Sequence, residues 1–314
     1  MRVLILAGPT AVGKSELGLA LAERLGAEIL CADSMQVYKY LDVGTAKPTA
    51  AERARIPHHL LDLVYPDEPF SAARYVQEFE QARAAVAARG RLPLLVGGTG
   101  LYIRAAVRPF LFPEAGRRPE VRARLNAEAQ EAPGALYERL KNVDPEAARR
   151  IHRHDLRRLV RALEVFETTG RPISELQRAR AMPEKDGEPL FVCLTRDRAE
   201  LYGRIEARTD AMMAMGFLDE VRSLAARGYG RGLPSLQGLG YRELYAYLHG
   251  ECSLADAVAE IKRRTRNYAK RQLTWFRREA GTIWFDLSAL PAEKVLEEIL
   301  RLLAGRWEGP SNKN

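Results

Sequence analysis

A glycine-containing motif near the amino terminus restricts the possible folds more than any other feature of the sequence. Residues 8 to 15 are Gly-Pro-Thr-Ala-Val-Gly-Lys-Ser, a full match to the pattern G-x-x-x-x-G-K-[ST]. The motif follows an apolar run, Val3 to Ala7, of the kind found in buried parallel strands. Leucines and alanines at helical spacing continue from Lys14 to Leu25. This strand–motif–helix order predicts an α/β fold with a phosphate-binding loop.

Strand and helix patterns alternate through the first hundred residues. AEILCA (residues 27 to 32) and LPLLV (residues 92 to 96) are further apolar strand candidates. Thr49 to Glu52 has the spacing of a capping box, and Ser71 can cap a long helix that ends at Gly90. Such β-α-β alternation predicts a P-loop NTPase-like, doubly wound parallel sheet.

The pattern changes near Pro113. Between residues 114 and 187 we find amphipathic helices and no buried strand, with Leu156, Leu159, Val160 and Leu163 at helical spacing. The strand pattern resumes in PLFVCLT, residues 189 to 195. We therefore predict a catalytic core formed by residues 1–113 and 188–314, interrupted by a helical insertion at residues 114–187.

The motif predicts how an anion would be bound. Backbone amides and the helix N-terminus attract phosphate oxygens, Lys14 adds a point charge, and the Ser15 hydroxyl can join a Mg²⁺ shell. LPLLV, however, ends in Gly97-Gly98-Thr99-Gly100 without the strand-end carboxylate usual in nucleotide hydrolases and kinases. The expected diphosphate-binding residues are Gly8, Thr10, Ala11, Val12, Gly13, Lys14 and Ser15.

Asp33 follows the second predicted strand and is a candidate functional carboxylate. Ligands of open α/β sheets bind at the carboxyl ends of the strands, so Asp33 should face the same crevice as Lys14. A turn or helix-cap role suits Asp33-Ser34 equally well, and both interpretations remain open at this point. Gln36, which has an amide donor and acceptor, could contact a purine edge.

Eight segments together resemble the bacterial tRNA dimethylallyltransferase (tRNA isopentenyltransferase) family. The resemblance runs from about residue 3 to residue 279, and the segments occur in the family's order: GPTAVGKS, DSMQVY, GTAKP, PHHLLD, GGTGLY, LVRALEV, GLGYRE and AKRQLTWFR. The resemblance implies transfer of a dimethylallyl group from its diphosphate to the exocyclic amine of the adenosine 3′ of the tRNA anticodon. It also implies that the insertion binds the anticodon stem-loop.

The resemblance assigns roles to individual positions. It makes Asp33 the proposed general base and Thr99 a contact of the diphosphate near the reacting centre, and it adds Arg222 to the diphosphate contacts. Arg157 departs from the family pattern, because many relatives have glutamine there. The implied tRNA contacts are Asp33, Ser34, Met35, Gln36, Thr99, Arg122, Arg157, Arg158, Leu159, Val160, Arg161, Gln237, Gly238, Leu239, Gly240, Tyr241 and Arg242.

An aspartate suits amine prenylation. The adenine amine is a weak nucleophile whose proton becomes acidic as the carbon–nitrogen bond forms, so a carboxylate of ordinary pKa can accept it. Negative charge grows meanwhile on the leaving diphosphate, where amides, Lys14, Mg²⁺ and Thr99 could stabilise it.

Basic clusters favour a polyanionic partner. The net charge is +8, and two segments concentrate arginine and lysine: residues 149–161 and residues 262–278, the latter without an acid. Solvated helix faces would look similar. Tyr268, Trp275 and Phe276 lie within the second cluster, and aromatic residues at this spacing belong to a hydrophobic core more often than to a stacking surface.

The remaining features favour a cytoplasmic protein, which we expect to be a monomer. The three cysteines, Cys31, Cys193 and Cys252, match no zinc spacing, and no apolar run reaches the length of a membrane span. The adjacent His58 and His59 would make a poor metal pair on a strand, so we expect them to pack or hydrogen-bond.

Three alternatives to tRNA prenylation remain. A small-molecule kinase would consume ATP without RNA, and a related prenyltransferase would modify free adenine nucleotides. A non-catalytic RNA-binding protein would need neither Lys14 nor Asp33 at one crevice.

Overall fold

The computed structural model describes residues 3–108, 118–179 and 189–307. Within these ranges, no helix is both long and apolar enough to cross a membrane. The strands are β1 (Leu4–Ala7), β2 (Ala27–Ala32), β3 (His58–His59), β4 (Leu92–Gly97), β5 (Leu190–Thr195) and β6 (Ile283–Asp286). The helices are α1 (Lys14–Leu25), α2 (Ala50–Arg55), α3 (Ala72–Ala88), α4 (Gly100–Val107), α5 (Pro119–Glu131), α6 (Ala135–Val143), α7 (Pro145–Arg150), α8 (Leu156–Thr169), α9 (Ile173–Ala179), α10 (Arg198–Ala214), α11 (Phe217–Ala226), α12 (Tyr241–Leu248), α13 (Leu254–Phe276) and α14 (Ala292–Trp307).

The strands form one six-stranded parallel sheet in the order β3-β2-β4-β1-β5-β6. The predicted α/β class and parallel sheet are confirmed. Because every strand runs in the same direction, the loops that follow β1, β2 and β4 emerge at the same edge of the sheet. The central position of β4, between β2 and β1, places its loop between the other two.

Successive strand residues point to opposite faces, and both faces are covered by helices. Leu4, Leu6 and Val192 lie in a hydrophobic core with α1, α10 and α14. Ile5 and Leu95 lie in the opposite core with α3 and α4. This two-sided burial explains why the strands are uniformly apolar in sequence, and it gives the sheet edge a rigid base.

A third hydrophobic cluster supports the loop after β2. Val37, Tyr38 and Leu41 pack against α11, α12 and α13. His58 and His59 form a short edge strand, in which His58 Nδ1 lies 2.7 Å from the Ile56 carbonyl oxygen and His59 Nε2 lies 2.7 Å from Glu28 Oε2. Both histidines therefore make the hydrogen bonds expected from the sequence.

The chain divides into two compact units. One contains residues 1–107 and 185–314, and the other contains residues 108–184. The predicted boundaries at residues 114 and 187 lie outside the described ranges. The smaller unit is helical and has its own core, which includes Leu140, Leu159 and Leu163. Leu156 was predicted to share that apolar face but is 47% exposed, because it is the first residue of α8, where the chain enters the helix.

Candidate active site

The loop between β1 and α1 has the backbone geometry that its glycines predict. Gly8 and Gly13 adopt φ angles of 149° and 112°, which residues other than glycine rarely adopt. A Cβ atom on Gly8 would lie 2.8 Å from the Leu194 carbonyl oxygen. Ala11 also has a positive φ angle, 62°. The loop is thereby curled into a concave backbone surface at the N-terminus of α1, suited to an anion.

Lys14 lies inside this curl. Its ammonium group donates hydrogen bonds to the carbonyl oxygens of Gly8 (2.9 Å) and Pro9 (2.6 Å). Burial, together with the nearby positive charge of Arg208, lowers the pKa of Lys14 to about 7, and Asp33 opposes this shift. The site thus holds excess positive charge when no anion is bound.

Three arginines, one from the connection between β5 and α10 and two from α10, surround the same loop. Arg196 Nε donates to the Val12 carbonyl oxygen and Arg204 Nε to the Ala11 carbonyl oxygen, both at 2.9 Å. Arg208 makes no hydrogen bond or ion pair within the described ranges, and burial lowers its pKa while Asp33 raises it. Its guanidinium is therefore free to contact a bound anion.

Arg208 is not among the residues that the sequence predicts for this site. The one available signal was weak: Arg204 and Arg208 are spaced i, i+4 and share a face of α10. Arg222, which the resemblance favoured, instead makes an exposed ion pair with Asp219 at 2.9 Å on α11. Its contacts do not connect it with the phosphate-binding loop, so its predicted role stays a prediction.

Asp33 takes part in a turn and also faces the crevice. Its Oδ1 atom accepts hydrogen bonds from the backbone N–H groups of Met35 (2.8 Å) and Gln36 (3.3 Å). Its charge also raises the pKa values of Lys14 and Arg208, so the carboxylate lies near both cations. The two interpretations left open by the sequence are compatible: Oδ1 organises the turn, and Oδ2 has no hydrogen-bond partner within the described ranges.

Hydrogen bonds join the three loops at this edge of the sheet. The Ser34 N–H donates to Thr99 Oγ1 at 3.1 Å, and the Thr99 N–H donates to the Ala32 carbonyl oxygen at 3.1 Å. Gln272, on α13, accepts from the Thr10 N–H and donates to the Gly98 carbonyl oxygen, each at 2.9 Å. Asp33, Thr99 and the phosphate-binding loop therefore belong to one connected site.

Part of the Gln36 side chain forms hydrogen bonds within the protein. Its Nε2 atom donates to the carbonyl oxygens of Thr45 (3.1 Å) and Ala46 (3.2 Å), and its Oε1 atom has no hydrogen-bond partner within the described ranges. Only the acceptor half of this amide is free for a purine. The loop at residues 45–46 uses the donor, and the predicted contact of Gln36 with a purine edge stays a prediction.

Glu220 connects the loop at residues 42–44 with the predicted tRNA-contacting segment at residues 237–242. Its carboxylate accepts from the N–H groups of residues 42 to 44 and, at 2.6 Å, from the Tyr241 hydroxyl. Tyr241 is 1% exposed, whereas Gln237 and Arg242 are exposed. The side chains of Gln237 and Arg242, rather than that of Tyr241, can therefore reach RNA.

The predicted tRNA-contacting segment at residues 157–161 also contains both exposed and buried side chains. Arg157 and Arg158 are exposed, but Leu159 and Val160 are buried in the core of the helical unit. The side chains of Leu159 and Val160 face the protein core, and a contact of these two residues with RNA stays a prediction. The cause of their burial is the 3.6-residue helical period, which turns alternate parts of a contiguous segment inward.

Arg122 and Arg161 converge on Glu164, which is fully buried. Arg122 Nε lies 2.7 Å from Glu164 Oε1, and Arg161 Nη1 lies 2.7 Å from Oε2. Burial alone would raise the pKa of Glu164, but the hydrogen bonds from both arginines and from the Arg118 N–H hold it at about 2. Both predicted tRNA contacts therefore also stabilise the helical unit.

The basic cluster at residues 262–278 is partly neutralised by acids that are distant in sequence. Lys262 pairs with Asp210, and Arg266 pairs with Glu206. Arg263 and Arg264 both pair with Glu260. The expectation of a wholly unneutralised cluster is wrong, because the partners come from preceding turns and from α10. The exposed cations without an ion pair in the described ranges are Lys270, Arg271, Arg277 and Arg278.

The Ser15 hydroxyl is the protein oxygen predicted to bind Mg²⁺, and this role stays a prediction. Ser15 is exposed at the start of α1. In the described ranges, no group of three or more histidine, cysteine or acidic side chains is arranged to hold a metal. Mg²⁺ in phosphate sites takes few protein oxygens and uses phosphate oxygens and water for the rest, so a single hydroxyl is a suitable protein contribution.

Known proteins resemble this chain over nearly its full length. The family model described as IPP transferase matches residues 36–279, and the one described as isopentenyl transferase matches residues 1–62. A tRNA dimethylallyltransferase of Symbiobacterium thermophilum is 50% identical over 97% of this chain and 96% of its own. One from Moorella thermoacetica is 52% identical over 92% of this chain and 91% of its own.

Solved structures agree with these sequence matches. A full-length tRNA isopentenylpyrophosphate transferase from Bacillus halodurans superposes with a TM-score of 0.73 at 40% identity, covering 98% of this chain and 97% of its own. A eukaryotic dimethylallyltransferase acting on tRNA gives a TM-score of 0.83 at 28% identity, covering 97% of this chain and 80% of its own. On these sequence and structural matches, this chain belongs to the tRNA dimethylallyltransferase family.

Proposed function

We propose that the protein transfers the dimethylallyl group of dimethylallyl diphosphate to the exocyclic amine of the adenosine 3′ of the anticodon in tRNA, releasing diphosphate. The main support is the hydrogen-bonded connection between three loops, which sets a carboxylate and an anion cradle at one edge of the sheet. The matched relatives are named tRNA dimethylallyltransferase, which supports the transferred group and the class of acceptor.

The donor's diphosphate would lie against the backbone N–H groups of residues 11–15. Lys14 and Arg208 would bind phosphate oxygens, whose negative charge would offset the repulsion between the two cations. Mg²⁺ bound with the diphosphate would neutralise part of its charge. The Thr99 hydroxyl oxygen accepts the Ser34 N–H, and its proton would turn from the neighbouring Tyr268 hydroxyl to an oxygen of the leaving group.

The acceptor base would enter beside Asp33. As the carbon–oxygen bond of the donor breaks and the carbon–nitrogen bond forms, the amine loses a proton, which Asp33 Oδ2 would accept. The two N–H donors on Oδ1 fix the direction of the carboxylate. Gln36 Oε1 can accept a hydrogen bond from the purine. To reach this position the adenosine must leave its stack, at a cost of a few kcal/mol.

Exposed cations would hold the rest of the RNA. In the larger unit these are Arg242 and the four unpaired cations of α13 and the turn after it, and in the helical unit they are Arg157 with the exposed arginines before it. Contacts with phosphates give affinity with little sequence preference and weaken as salt rises. We propose that the helical unit binds the anticodon stem-loop through its exposed arginines.

Mass analysis of nucleosides from tRNA incubated with protein, dimethylallyl diphosphate and Mg²⁺ tests the proposal. We expect one adenosine per substrate tRNA to gain a single dimethylallyl group. Prenylation of AMP in preference to tRNA would indicate an enzyme of free nucleotides, and ATP consumption without RNA would indicate a kinase. Tight RNA binding with no product would leave only an RNA-binding role.

A further inference from the structure

We propose that Gln272 is a positioning residue for prenyl transfer, one that fixes the phosphate-binding loop and the Thr99 loop relative to each other. Tyr268 and Trp275 on the same face of α13 support the Thr99 loop on either side of it. The inference rests on the proposed function, because it concerns the geometry between the donor's diphosphate and the acceptor.

Gln272 uses both halves of its amide in this role. Oε1 accepts from the Thr10 N–H and Nε2 donates to the Gly98 carbonyl oxygen, both at 2.9 Å. The residue is only 6% exposed, so these backbone groups have little water to replace it. Thr10 and Gly98 follow the adjacent strands β1 and β4, and the amide spans the gap between their loops.

The neighbouring contacts explain the glycines around Thr99. A Cβ atom on Gly98 would lie 2.2 Å from Gln272 Nε2, and one on Gly100 would lie 2.3 Å from Trp275 Cδ1. Tyr268 places its hydroxyl beside Thr99 and Gln272. Because residues 268, 272 and 275 are spaced i, i+4, i+7, they lie on one helix face. This face therefore contacts the whole Gly98–Gly100 segment.

The aromatic residues within the basic cluster thereby gain a specific role. Trp275 and Phe276 pack in the core between the sheet and α13, and the Arg104 guanidinium lies 4.5 Å from the Trp275 ring centroid. Phe276 is fully buried and cannot stack on RNA, and the half-buried Trp275 ring packs against Arg104. Their contacts hold α13 against the site, so that a displacement of Gln272 would move Thr10 and Thr99 apart.

A double-mutant cycle tests the inference. We expect Gln272→Ala and Gly98→Ala each to lower single-turnover prenyl transfer by roughly 10- to 100-fold, the loss typical of a small misplacement of reacting groups. Because the Gln272→Ala substitution would vacate the space that the added Cβ needs, the double variant should transfer no more slowly than Gln272→Ala alone. The KM for tRNA should stay within about twofold throughout, since the RNA surface is unchanged.

Two further variants separate positioning from loss of stability. Gln272→Met keeps the side-chain volume but removes both hydrogen bonds, and it should show the same loss of transfer. Glu28→Gln, in β2, removes the charge that pairs with Arg89 and His59. It should lower the melting temperature but leave the transfer rate unchanged.

The outcomes distinguish this inference from the proposed function. If the wild-type protein forms no prenylated tRNA, the proposed function fails and the inference fails with it. If the wild-type protein is active but the effects of the two substitutions multiply, or Gln272→Met retains full activity, the positioning role alone is refuted.

Discussion

The affinity of the site for a diphosphate should depend on pH above neutrality because of Lys14. With a pKa of about 7, roughly half of the Lys14 side chains are charged at pH 7 and about 1% at pH 9. Burial and the charge of Arg208 cause this low pKa. A bound diphosphate would require the protonated form of Lys14. If only that form binds, the dissociation constant should rise about 50-fold from pH 7 to pH 9. Below pH 7 it should fall no more than about twofold.

Calorimetric titration with dimethylallyl thiodiphosphate, at fixed Mg²⁺ and without tRNA, measures this dependence directly. The terminal phosphate of such a ligand loses its last proton near pH 6, at about the value of a phosphate monoester. Its charge is therefore constant over the relevant range. The same titration in buffers of different ionisation enthalpy should show uptake of close to one proton per ligand at about pH 8.

Lys14→Arg is the matched control, because a guanidinium stays protonated throughout this range. Its affinity should be lower than that of the wild type at pH 7 but almost independent of pH. A wild-type dissociation constant that changes less than about threefold between pH 7 and pH 9 would refute the assigned cause. It would mean that Lys14 stays charged in the free protein.

Three further predictions concern packing and ion pairs. Glu164→Gln should destabilise the helical unit by about 3 kcal/mol near neutrality, the difference between a pKa of 4.5 and about 2. The pKa of Glu164 is lower in the folded protein than in the unfolded chain, so this stability is present above about pH 4.5 and is lost as the pH falls towards 2. Acid unfolding followed by circular dichroism should therefore depend less on pH in the variant than in the wild type. Gly44→Ala places a Cβ atom 2.1 Å from the Phe217 ring and should lower the melting temperature and the affinity for tRNA together; an unchanged melting temperature would contradict the packing. Thr49→Ala removes the observed capping box and should cost about 1 kcal/mol in urea unfolding, with no change in transfer; a loss of activity would argue against a purely local role.

Local features of the fold were predictable from the sequence. Helix α1 spans the predicted Lys14–Leu25, strand β2 spans the predicted Ala27–Ala32, and Thr49 forms the predicted capping box. Each depends on interactions within a few residues of the chain, so periodicity and side-chain chemistry suffice to find it. The position of Lys14 and Asp33 at the same edge of the sheet was also predictable, because ligand sites of parallel sheets lie at the carboxyl ends of the strands.

The features of the site that the sequence did not predict depend on contacts between segments that are distant in the chain. Gln272 lies 262 residues from Thr10 in the sequence, and no local pattern marks its amide as a connector of two loops. Glu206 and Asp210 neutralise cations of α13 from another helix, so counting charges along one segment overestimated the free charge. Arg208 looks like an ordinary helix-surface residue until β5 and α10 bring it against the phosphate-binding loop.

The central claim is that Asp33 accepts the amine proton beside the diphosphate cradle. The most direct test is single-turnover prenyl transfer by Asp33→Asn, measured together with its dissociation constant for tRNA. We predict a fall in the transfer rate of roughly 10²- to 10⁴-fold, the usual contribution of a general base, with tRNA affinity within about twofold of wild type. A transfer rate close to wild type, or a loss matched by an equal loss of tRNA affinity, would contradict the assignment of Asp33 as the base.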